Sequence, residues 1–361
     1  MHRDAGRIVV IGGGVMGLAT AWALARRGER PLVLERFARG HRQGASHGAT
    51  RNFNDAYIED HYLDLLQRSR AGWDALGVVG GAPLLRLHGL VTHGSVDLPT
   101  IAARLSDRGI AASMLSAGEA RARWAGMRFD DDVLWSRDAG VVRAADALVE
   151  LERRIVAAGG EVRWSTPATG IDDEGGDVRI RLAEGAVLQA ETVVVTVGAW
   201  STGILPGIGL PPLRVTEETP AHFAPRTGHA WPSFNHYVDP ERHPATVYGM
   251  PTPGEGVKVG FHGVGDEVDP DARPHRPTHQ AAVAEYVREW MPGLDPASAV
   301  PISCTYTSTA DGRFVLDRRG RIVVGAGFSG HGFKFATGIG ETLAELALDD
   351  GARAAAPFRL P

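Results

Sequence analysis

The stretch Ile8-Val9-Val10-Ile11-Gly12-Gly13-Gly14-Val15-Met16-Gly17 decides the fold of this chain. Its four apolar residues predict a buried parallel strand, and Gly12, Gly14 and Gly17 match the spacing G-x-G-x-x-G. The first glycine of this pattern allows a tight turn, the second lets backbone approach a pyrophosphate, and the third lets a helix pack on the strand. The stretch therefore predicts the turn of a dinucleotide-binding βαβ unit.

The residues after this turn complete the unit. Residues 18–27 have a helical pattern that ends at Gly28, and residues 31–35 form the next predicted strand. Glu35 stands 18 residues after Gly17 at the end of that strand, where a carboxylate can accept hydrogen bonds from ribose hydroxyls. This context favours dinucleotide binding over a merely structural glycine turn, but the motif does not separate FAD from NAD.

The composition excludes several classes of function. The chain has 361 residues, with Lys+Arg 38 against Asp+Glu 43 and a formal net charge of −5. This mildly acidic balance argues against nucleic acid or an anionic membrane surface as a partner and favours a small molecule. The single cysteine cannot form an intrachain disulfide, and no apolar run is long enough for a membrane span or a signal peptide. We therefore predict a cytoplasmic protein.

The order of segments predicts an α/β protein whose second domain is of α+β type. Residues 144–159 look helical, and 162–164, 178–182 and 193–197 look like strands, so the nucleotide-binding domain is expected to resume here. The chain also ends with a second strand, glycine loop and helix. We predict a discontinuous Rossmann-type domain and a discontinuous antiparallel-sheet substrate domain, formed respectively by residues 1–84, 144–209 and 307–361, and by residues 85–143 and 210–306.

Several histidines invite a metal-site interpretation. Four of them recur every seven residues, and two more lie nearby, but prolines interrupt both stretches, so that no helix can align the rings on one face. Surface or loop histidines are favoured, and no metal is predicted. The residues concerned are His222, His229, His236, His243, His275 and His279.

Residue type alone leaves two interpretations open at Cys304 and at Lys258. A lone cysteine is commonly a small buried hydrophobe, but Cys304 stands between the two predicted domains, which raises the alternative of a link to a cofactor. Lys258 lies in the apolar run Val257-Lys258-Val259-Gly260-Phe261, where neighbouring side chains point to the opposite face. Its ammonium therefore meets either solvent or a cleft.

Four segments in order resemble the monomeric sarcosine oxidase family, a branch of the D-amino-acid-oxidase-like FAD-dependent amine oxidases. The resemblance covers essentially the whole chain and implies a Rossmann-type FAD-binding domain. The segments are Gly325-Ala326-Gly327-Phe328-Ser329-Gly330-His331-Gly332-Phe333-Lys334-Phe335, Ser46-His47-Gly48-Ala49-Thr50-Arg51, Tyr248-Gly249-Met250-Pro251 with Lys258 and His262, and Cys304-Thr305-Tyr306-Thr307.

The resemblance implies roles at the cofactor. Cys304 is implied to carry FAD as an 8α-S-cysteinyl thioether, and Lys258 to be the oxygen-activating cation near flavin N5. Arg51 and His47 are implied to face the flavin ring. Together with the motif, this gives a predicted cofactor-binding set of Gly12, Gly14, Gly17, Glu35, Arg36, Ser46, His47, Thr50, Arg51, Cys304, Gly330 and Lys334.

The resemblance also implies a substrate pocket. Lys334 would pair with the substrate carboxylate, and aromatic and histidine side chains would line the pocket. The predicted catalytic residues are Lys258, His262, Arg51 and Tyr306, and the predicted substrate-binding residues are Lys334, Tyr248 and Asn54.

One position departs from the family's pattern. Three positions after Arg51 the family has a second basic residue that binds the substrate carboxylate, whereas this chain has Asn54. Half of the carboxylate clamp is missing, so we expect a bulkier or cyclic amine to be preferred over sarcosine. The alternative is that another arginine, such as Arg214, restores the clamp.

The expected function is oxidation of a secondary or primary amine to an imine by a monomeric FAD enzyme, with O2 reduced to H2O2. The substrate could be an N-methyl amino acid, a cyclic imino acid such as pipecolate, or an amine intermediate of a biosynthetic pathway. A nicotinamide-linked dehydrogenase is a second hypothesis, although Cys304 would have no task there. A flavin-binding protein without turnover is the third, and the presence of Lys258 and Lys334 counts against it.

Overall fold

Parallel strands form the first of two large sheets in this computed structural model, which describes residues 3–4, 7–173, 175–205, 207–226 and 228–361. Five strands of this six-stranded sheet are parallel, and the last is antiparallel at one edge. Their order across the sheet is Glu161–Arg163, Leu32–Leu34, Ile8–Ile11, Thr192–Val195, Ile322–Ala326 and Val315–Arg319.

Alternation along the strands places a separate core on each face of the six-stranded sheet. Ile8 and Val10 join one apolar cluster with the helices, whereas Val9 and Ile11 join another on the opposite face. The helices are Val15–Arg26, Asp60–Leu76, Ala144–Ala157 and Ala336–Leu348. The opposite face is covered by a four-stranded sheet of Arg3–Asp4, Val187–Ala190, Val178–Leu182 and Ala168–Asp173.

The second large sheet has eight strands and is antiparallel except at one pair. Ser233–Tyr237 runs parallel to Leu90–Gly94. The strand order is Val300–Pro301, Ala221–Phe223, Gly256–Phe261, Val247–Thr252, Ser233–Tyr237, Leu90–Gly94, Val133–Ser136 and Ala112–Leu115. Helix Gln280–Trp290 and helix Ala117–Arg123 contribute to its apolar core, and helix Leu98–Asp107 packs beside its edge.

Smaller elements join the two large sheets. One three-stranded sheet consists of Thr50–Phe53, Gly140–Arg143 and Leu85–Leu87, and another of Asp266–Glu267, Arg214–Glu218 and Cys304–Ser308. The remaining elements are the hairpin Val78–Val79 with Ala82–Pro83, the short helix Ser201–Ile204, and the 3-10 turns Gly198–Trp200, Phe333–Phe335 and Ala356–Phe358.

The predicted fold class is confirmed. The glycine turn leads from Ile8–Ile11 into helix Val15–Arg26, which begins earlier than the predicted residue 18. Residues 178–182 form the predicted strand, which pairs with its hairpin neighbours in the four-stranded sheet that covers one face of the six-stranded sheet. The predicted domain boundaries stay a prediction.

The prediction that the proline-flanked histidines lie on the surface or in loops is wrong for two of them. His222 and His236 are buried within strands, whereas His243, although buried beside Tyr286, lies in the loop between Ser233–Tyr237 and Val247–Thr252. The prolines border the strands instead of interrupting them: Pro220 precedes Ala221–Phe223, and Pro232 lies directly before Ser233–Tyr237. Among the described residues no cluster of potential metal ligands is found, and none of the described helices could span a membrane.

Buried histidines predict a loss of stability in acid. Burial lowers the pKa of His236 to about 4, and His243 lowers it further while Asp130 opposes the shift. The unfolded chain binds this proton near pH 6.5, whereas the folded chain resists it until about pH 4, so the free energy of unfolding falls across that window. At about 1.4 kcal/mol per pKa unit, His236 alone costs about 3 kcal/mol near pH 4.

Urea unfolding of the wild type and of His236→Gln at pH 7 and pH 5 measures this effect. We expect the variant to lose less stability between the two values than the wild type does. His275→Asn, at an exposed position, is the control and should keep the wild-type difference. Equal losses in His236→Gln and the wild type would contradict the prediction.

Candidate active site

A cavity of about 1770 Å³ extends from the carboxyl ends of the parallel strands to the face of the eight-stranded sheet. Gly12–Gly14, Glu35 and Thr196, which follow three neighbouring parallel strands, line one end of this cavity. Lys258 and Tyr248, from two strands of the second sheet, line another part of its wall. Ligands of open α/β sheets bind at this edge, beyond the strand ends.

The glycine loop leaves no room for side chains at its key positions. Gly12 has φ +104°, and a Cβ there would lie 2.6 Å from the carbonyl oxygen of Thr196. A Cβ on Gly17 would collide with the carbonyl of Gly12. Gly14 is the N-cap of helix Val15–Arg26 and lines the cavity, so that the positive end of the helix faces a ligand.

Glu35 and Arg36 lie beside this loop, on the cavity wall. The backbone N–H of Gly13 donates to Glu35 Oε2 at 2.7 Å, and that of Phe37 donates to Oε1 at 2.9 Å, which fixes the carboxylate at the strand end. Arg36 lies over the rings of Phe37 and Trp200 and pairs with Asp271 at 3.1 Å. The placement suits a carboxylate that accepts ribose hydroxyl bonds.

The segment 46–51 wraps the middle of the cavity. Ser46 Oγ accepts from the N–H of Val15 at 3.0 Å, so it caps the helix from a distant part of the chain. Arg51 donates to the carbonyls of Thr50 and Ala45, at 2.9 and 2.8 Å, and to that of His47. Burial and then Arg51 lower the pKa of His47 to about 4, so the imidazole is neutral at pH 7.

Cys304 begins the strand Cys304–Ser308 and lies on the cavity wall near this segment. Its side chain is half-buried, and its Sγ is 3.9 Å from the carbonyl oxygen of Ala45. The common interpretation of a lone cysteine as a fully buried hydrophobe does not hold here. The thiol faces the same cavity as Arg51.

Lys258 enters the cavity rather than the solvent. It is 5% exposed, and its Nζ donates to the carbonyl of Thr50 at 3.4 Å. Burial, followed by repulsion from Arg51, lowers its pKa to about 7. An ammonium held with so few partners can readily stabilise negative charge on a ligand.

A second buried lysine lies in the turn Phe333–Phe335. Lys334 is 5% exposed and donates to the hydroxyl of Tyr57 at 2.8 Å and to the carbonyl of His331 at 2.9 Å. The indole N–H of Trp73 donates to the Lys334 carbonyl at 2.8 Å and fixes the turn. Burial lowers the pKa of Lys334 to about 7, and the described residues give it no carboxylate partner within salt-bridge distance.

Aromatic and imidazole groups complete the wall between the lysines. His262 Nδ1 lies 3.4 Å from the hydroxyl of Tyr306, and Tyr248 has its ring centroid 6.4 Å from that of His262. Burial and then Lys334 lower the pKa of His262, and burial raises those of Tyr248 and Tyr306. The wall therefore offers neutral hydrogen-bonding groups near pH 7.

Asn54 lines the cavity, but the proposed rescue by Arg214 does not occur. The N–H of Ala56 donates to Asn54 Oδ1 at 2.8 Å, which leaves the Nδ2 donors for a ligand. Arg214 is exposed, is paired with Glu267 at 3.4 Å and is not among the residues that line the cavity. Arg313 does line the cavity, and it directly follows Gly312, whose carbonyl is hydrogen-bonded to His331 Nε2 at 3.3 Å.

Nearly all the predicted site residues share this cavity. Gly17 lies beneath the glycine turn, and Thr50 turns its hydroxyl to Thr252 at 2.8 Å, so neither belongs to the cavity lining. Sequence reasoning missed several lining residues that stand outside the quoted segments and belong to no local pattern. These are Tyr57, Asn235, Arg273 and Arg313.

The residues present fit a bound dinucleotide. The loop at Gly12–Gly14 forms a cradle that any Cβ would fill or strain, and a helix N-terminus opens onto it. Arg273 is only 8% exposed, and its Nε and Nη1 have no hydrogen-bond partner among the residues that the structure describes. A cavity that passes from this cradle to Lys258 on the second sheet and to Lys334 in the turn Phe333–Phe335 defines the class: a dinucleotide-dependent oxidoreductase.

Comparison with known proteins specifies this class. The family described as FAD dependent oxidoreductase matches residues 7–346, and the chain belongs to that family. Peroxisomal sarcosine oxidase from Homo sapiens is 34% identical over 99% of this chain and 96% of its own length. Monomeric sarcosine oxidase from Bacillus sp. (strain B-0618) is 27% identical over 94% of this chain and 92% of its own.

A solved structure agrees. The open form of NikD, described as an unusual amino acid oxidase essential for nikkomycin biosynthesis, has a TM-score of 0.87 and 25% identity over 99% of this chain and 98% of its own. The protein is therefore an FAD-dependent amine oxidase of the sarcosine-oxidase type, as the sequence resemblance implied. The nicotinamide-linked alternative is not supported.

Proposed function

We propose that this protein oxidises an N-methyl or cyclic amino acid at a carbon bonded to nitrogen and releases H2O2. The observation that carries this proposal is Lys334, a buried ammonium on the cavity wall whose hydrogen-bond partners are the neutral Tyr57 hydroxyl and a backbone carbonyl. A buried cation without an acid partner is costly unless a ligand supplies the opposite charge. A substrate carboxylate supplies it and favours the charged form of Lys334.

The wall residues then position the amine. With its Nδ1–H donating to the Tyr306 hydroxyl, a neutral His262 presents Nε2 as an acceptor for a proton of the substrate ammonium. Loss of that proton leaves the nitrogen lone pair that drives C–H cleavage. Because the tyrosines and His262 enclose this part of the cavity, the amine carbon is held in one orientation.

FAD, when bound, accepts the hydride equivalent from the substrate carbon and delivers two electrons to O2. In the half-reaction with O2, the chain itself contributes positive charge. Lys258 and Arg51 place positive groups on the cavity wall where negative charge develops. The product imine leaves and is hydrolysed by water, which requires no dedicated residue.

The roles of the other predicted residues are part of the proposal. Glu35, Arg36, Ser46 and the glycine loop would hold the adenosine and pyrophosphate, and His47, Gly330 and Cys304 the flavin half. The relatives described as monomeric and the single cysteine support a monomer in a reducing, cytoplasmic compartment.

Peroxide assays with N-methyl, cyclic and ordinary amino acids test the function directly. We expect peroxide and bleaching of the flavin absorbance with at least one N-methyl or cyclic amino acid. Bleaching without peroxide would indicate another electron acceptor. Purified yellow protein that no amine bleaches would overturn the proposal in favour of a flavin-binding protein without turnover.

We predict that Cys304 holds FAD covalently. The thiol and the flavin 8-methyl group would each lose one hydrogen as the S–C bond forms, and O2 would take up both as H2O2. The sulfur would attack the 8-methyl position, and Arg51 on the same cavity wall would stabilise the electron-rich flavin ring during that step. Acid precipitation of the wild type should therefore give a yellow pellet.

Cys304→Ser is the decisive variant for this prediction. Its acid pellet should be colourless, with all the FAD in the supernatant, while the native variant still purifies yellow. Yellow supernatant from the wild type, or a yellow pellet from Cys304→Ser, would contradict the assignment.

A further inference from the structure

Asn235 is a buried polar side chain on the cavity wall that the proposed mechanism does not use. It lies in strand Ser233–Tyr237, is 6% exposed, and lines the cavity. Its Nδ2 atom has no hydrogen-bond partner in the part of the chain that the structure describes. A buried amide without a partner forfeits the bonds that it would make in water, and because Nδ2 is itself buried, a rotation of the amide would bring it to a ligand in the cavity.

The register of the sheet places Asn235 at the substrate end of the cavity. It stands directly opposite Tyr248 on the neighbouring strand, and Tyr237, two residues on, shares its face. The pKa of the Tyr57 hydroxyl is raised mainly by burial, and Tyr237 lies close enough to Tyr57 to contribute to the shift. Tyr57 accepts the hydrogen bond of Lys334.

Asn54 offers the same chemistry in the same cavity. Its carbonyl oxygen is held by the Ala56 N–H, so it presents amide N–H donors. The last torsion of an asparagine side chain is soft, and a rotation of the Asn235 amide also directs its N–H groups at the cavity. The two amides can therefore donate hydrogen bonds to an oxygen acceptor on the ligand, in addition to the carboxylate that Lys334 binds.

That acceptor is neutral rather than a second carboxylate. Lys334 pairs with the first carboxylate, and both amides are uncharged, so neither amide supplies the counter-charge that a second buried anion beside it would need. A carbonyl or hydroxyl oxygen accepts the same hydrogen bond at a much smaller desolvation cost.

We infer that Asn235 determines specificity by donating a hydrogen bond to a neutral carbonyl or hydroxyl oxygen on the substrate side chain. The inference rests on the proposed function. It makes the substrate an N-methyl or cyclic amino acid that carries such an oxygen, and not sarcosine.

N-methylthreonine and N-methylvaline test this inference because they differ by a hydroxyl in place of a methyl group. We expect kcat/KM of the wild type to favour N-methylthreonine about tenfold, and Asn235→Leu to abolish or reverse the preference. The control is Ser233→Ala, on the same strand but not among the lining residues, which should keep the wild-type ratio. The fraction of bound FAD verifies that each variant is folded.

Equal ratios in the wild type and in Asn235→Leu would overturn the inference, and so would an enzyme that oxidises other amines but neither member of the pair. Both outcomes leave the proposed function standing. A protein that no amine reduces would instead overturn the proposed function itself.

Discussion

Lys258→Met is expected to slow the reoxidation of reduced FAD by O2 by about 10²- to 10³-fold, while reduction by substrate changes far less. One preorganised donor beside a developing charge typically contributes about 3–4 kcal/mol. Lys258 is buried, its Nζ has one weak bond at 3.4 Å, and methionine keeps its volume without the charge. Electron transfer to O2 creates superoxide-like negative charge, which this ammonium stabilises.

Stopped-flow measurement of the two half-reactions separates the roles of the buried lysines. Lys334→Met is the matched control, since Lys334 is equally buried and its pKa is likewise lowered to about 7 by burial. It should impair reduction by substrate and leave reoxidation nearly intact. If Lys258→Met slows both halves to the same extent, Lys258 has a structural role only.

The rate of flavin reoxidation by O2 is expected to fall as pH rises. The pKa of Lys258 is lowered to about 7, so the ligand-free protein loses this charge as pH rises through that value. An anionic partner in the cavity raises the pKa again. We therefore expect wild-type reoxidation to be fastest at low pH and to decline above the pKa, and Lys258→Met to lack that decline.

Local spacing was enough to predict the glycine turn and the position of Glu35 beside it at one end of the cavity. Gly12, Gly14 and Gly17 lie within six residues of one turn, and Glu35 follows the adjoining strand. The residues that form this cradle are therefore close together in the sequence. The C-terminal segment around Lys334 was predictable for another reason, because it resembles a family segment nearly residue by residue.

Positions that depend on the packing of distant elements were not predictable in this way. Alternation placed Lys258 on one face of a strand, but the burial of that face depends on Thr50, 208 residues away. Residues 178–182 read as a strand, yet the choice of sheet was set by pairing with Val187–Ala190. Asn235 follows no motif, and only its register opposite Tyr248 brings it to the cavity.

The histidine error has the same origin. Proline spacing excluded a helix correctly, but strands bounded by prolines bury alternate residues just as well. His236 is buried, with its Nδ1 3.0 Å from the hydroxyl of Tyr286 and its ring stacked on His93 at 3.9 Å between centroids. Residue type alone does not distinguish a hydrogen-bonded histidine in the core from a histidine in a loop.

Asn54→Arg is expected to raise kcat/KM for sarcosine by about 10- to 100-fold. An arginine adds a charge-assisted, bidentate contact to the substrate carboxylate, and hydrogen bonds to charged groups contribute about 1.5–3 kcal/mol. Asn54 lines the same cavity as Lys334 and has one end tied to Ala56. Arg214 cannot supply the missing bidentate contact to the carboxylate, because it is exposed and paired with Glu267.

Steady-state kinetics of the wild type and of Asn54→Arg with sarcosine and with a bulkier cyclic amino acid decide the matter. A larger substrate recovers affinity by burying apolar surface, at roughly 25 cal/mol per Å², so the wild type should prefer it and the variant should lose that preference. Asn54→Gln keeps the amide without the charge and should leave sarcosine poor. A wild type already efficient with sarcosine, or a variant without gain, would show that the carboxylate is held by Lys334 and other groups without help from this position.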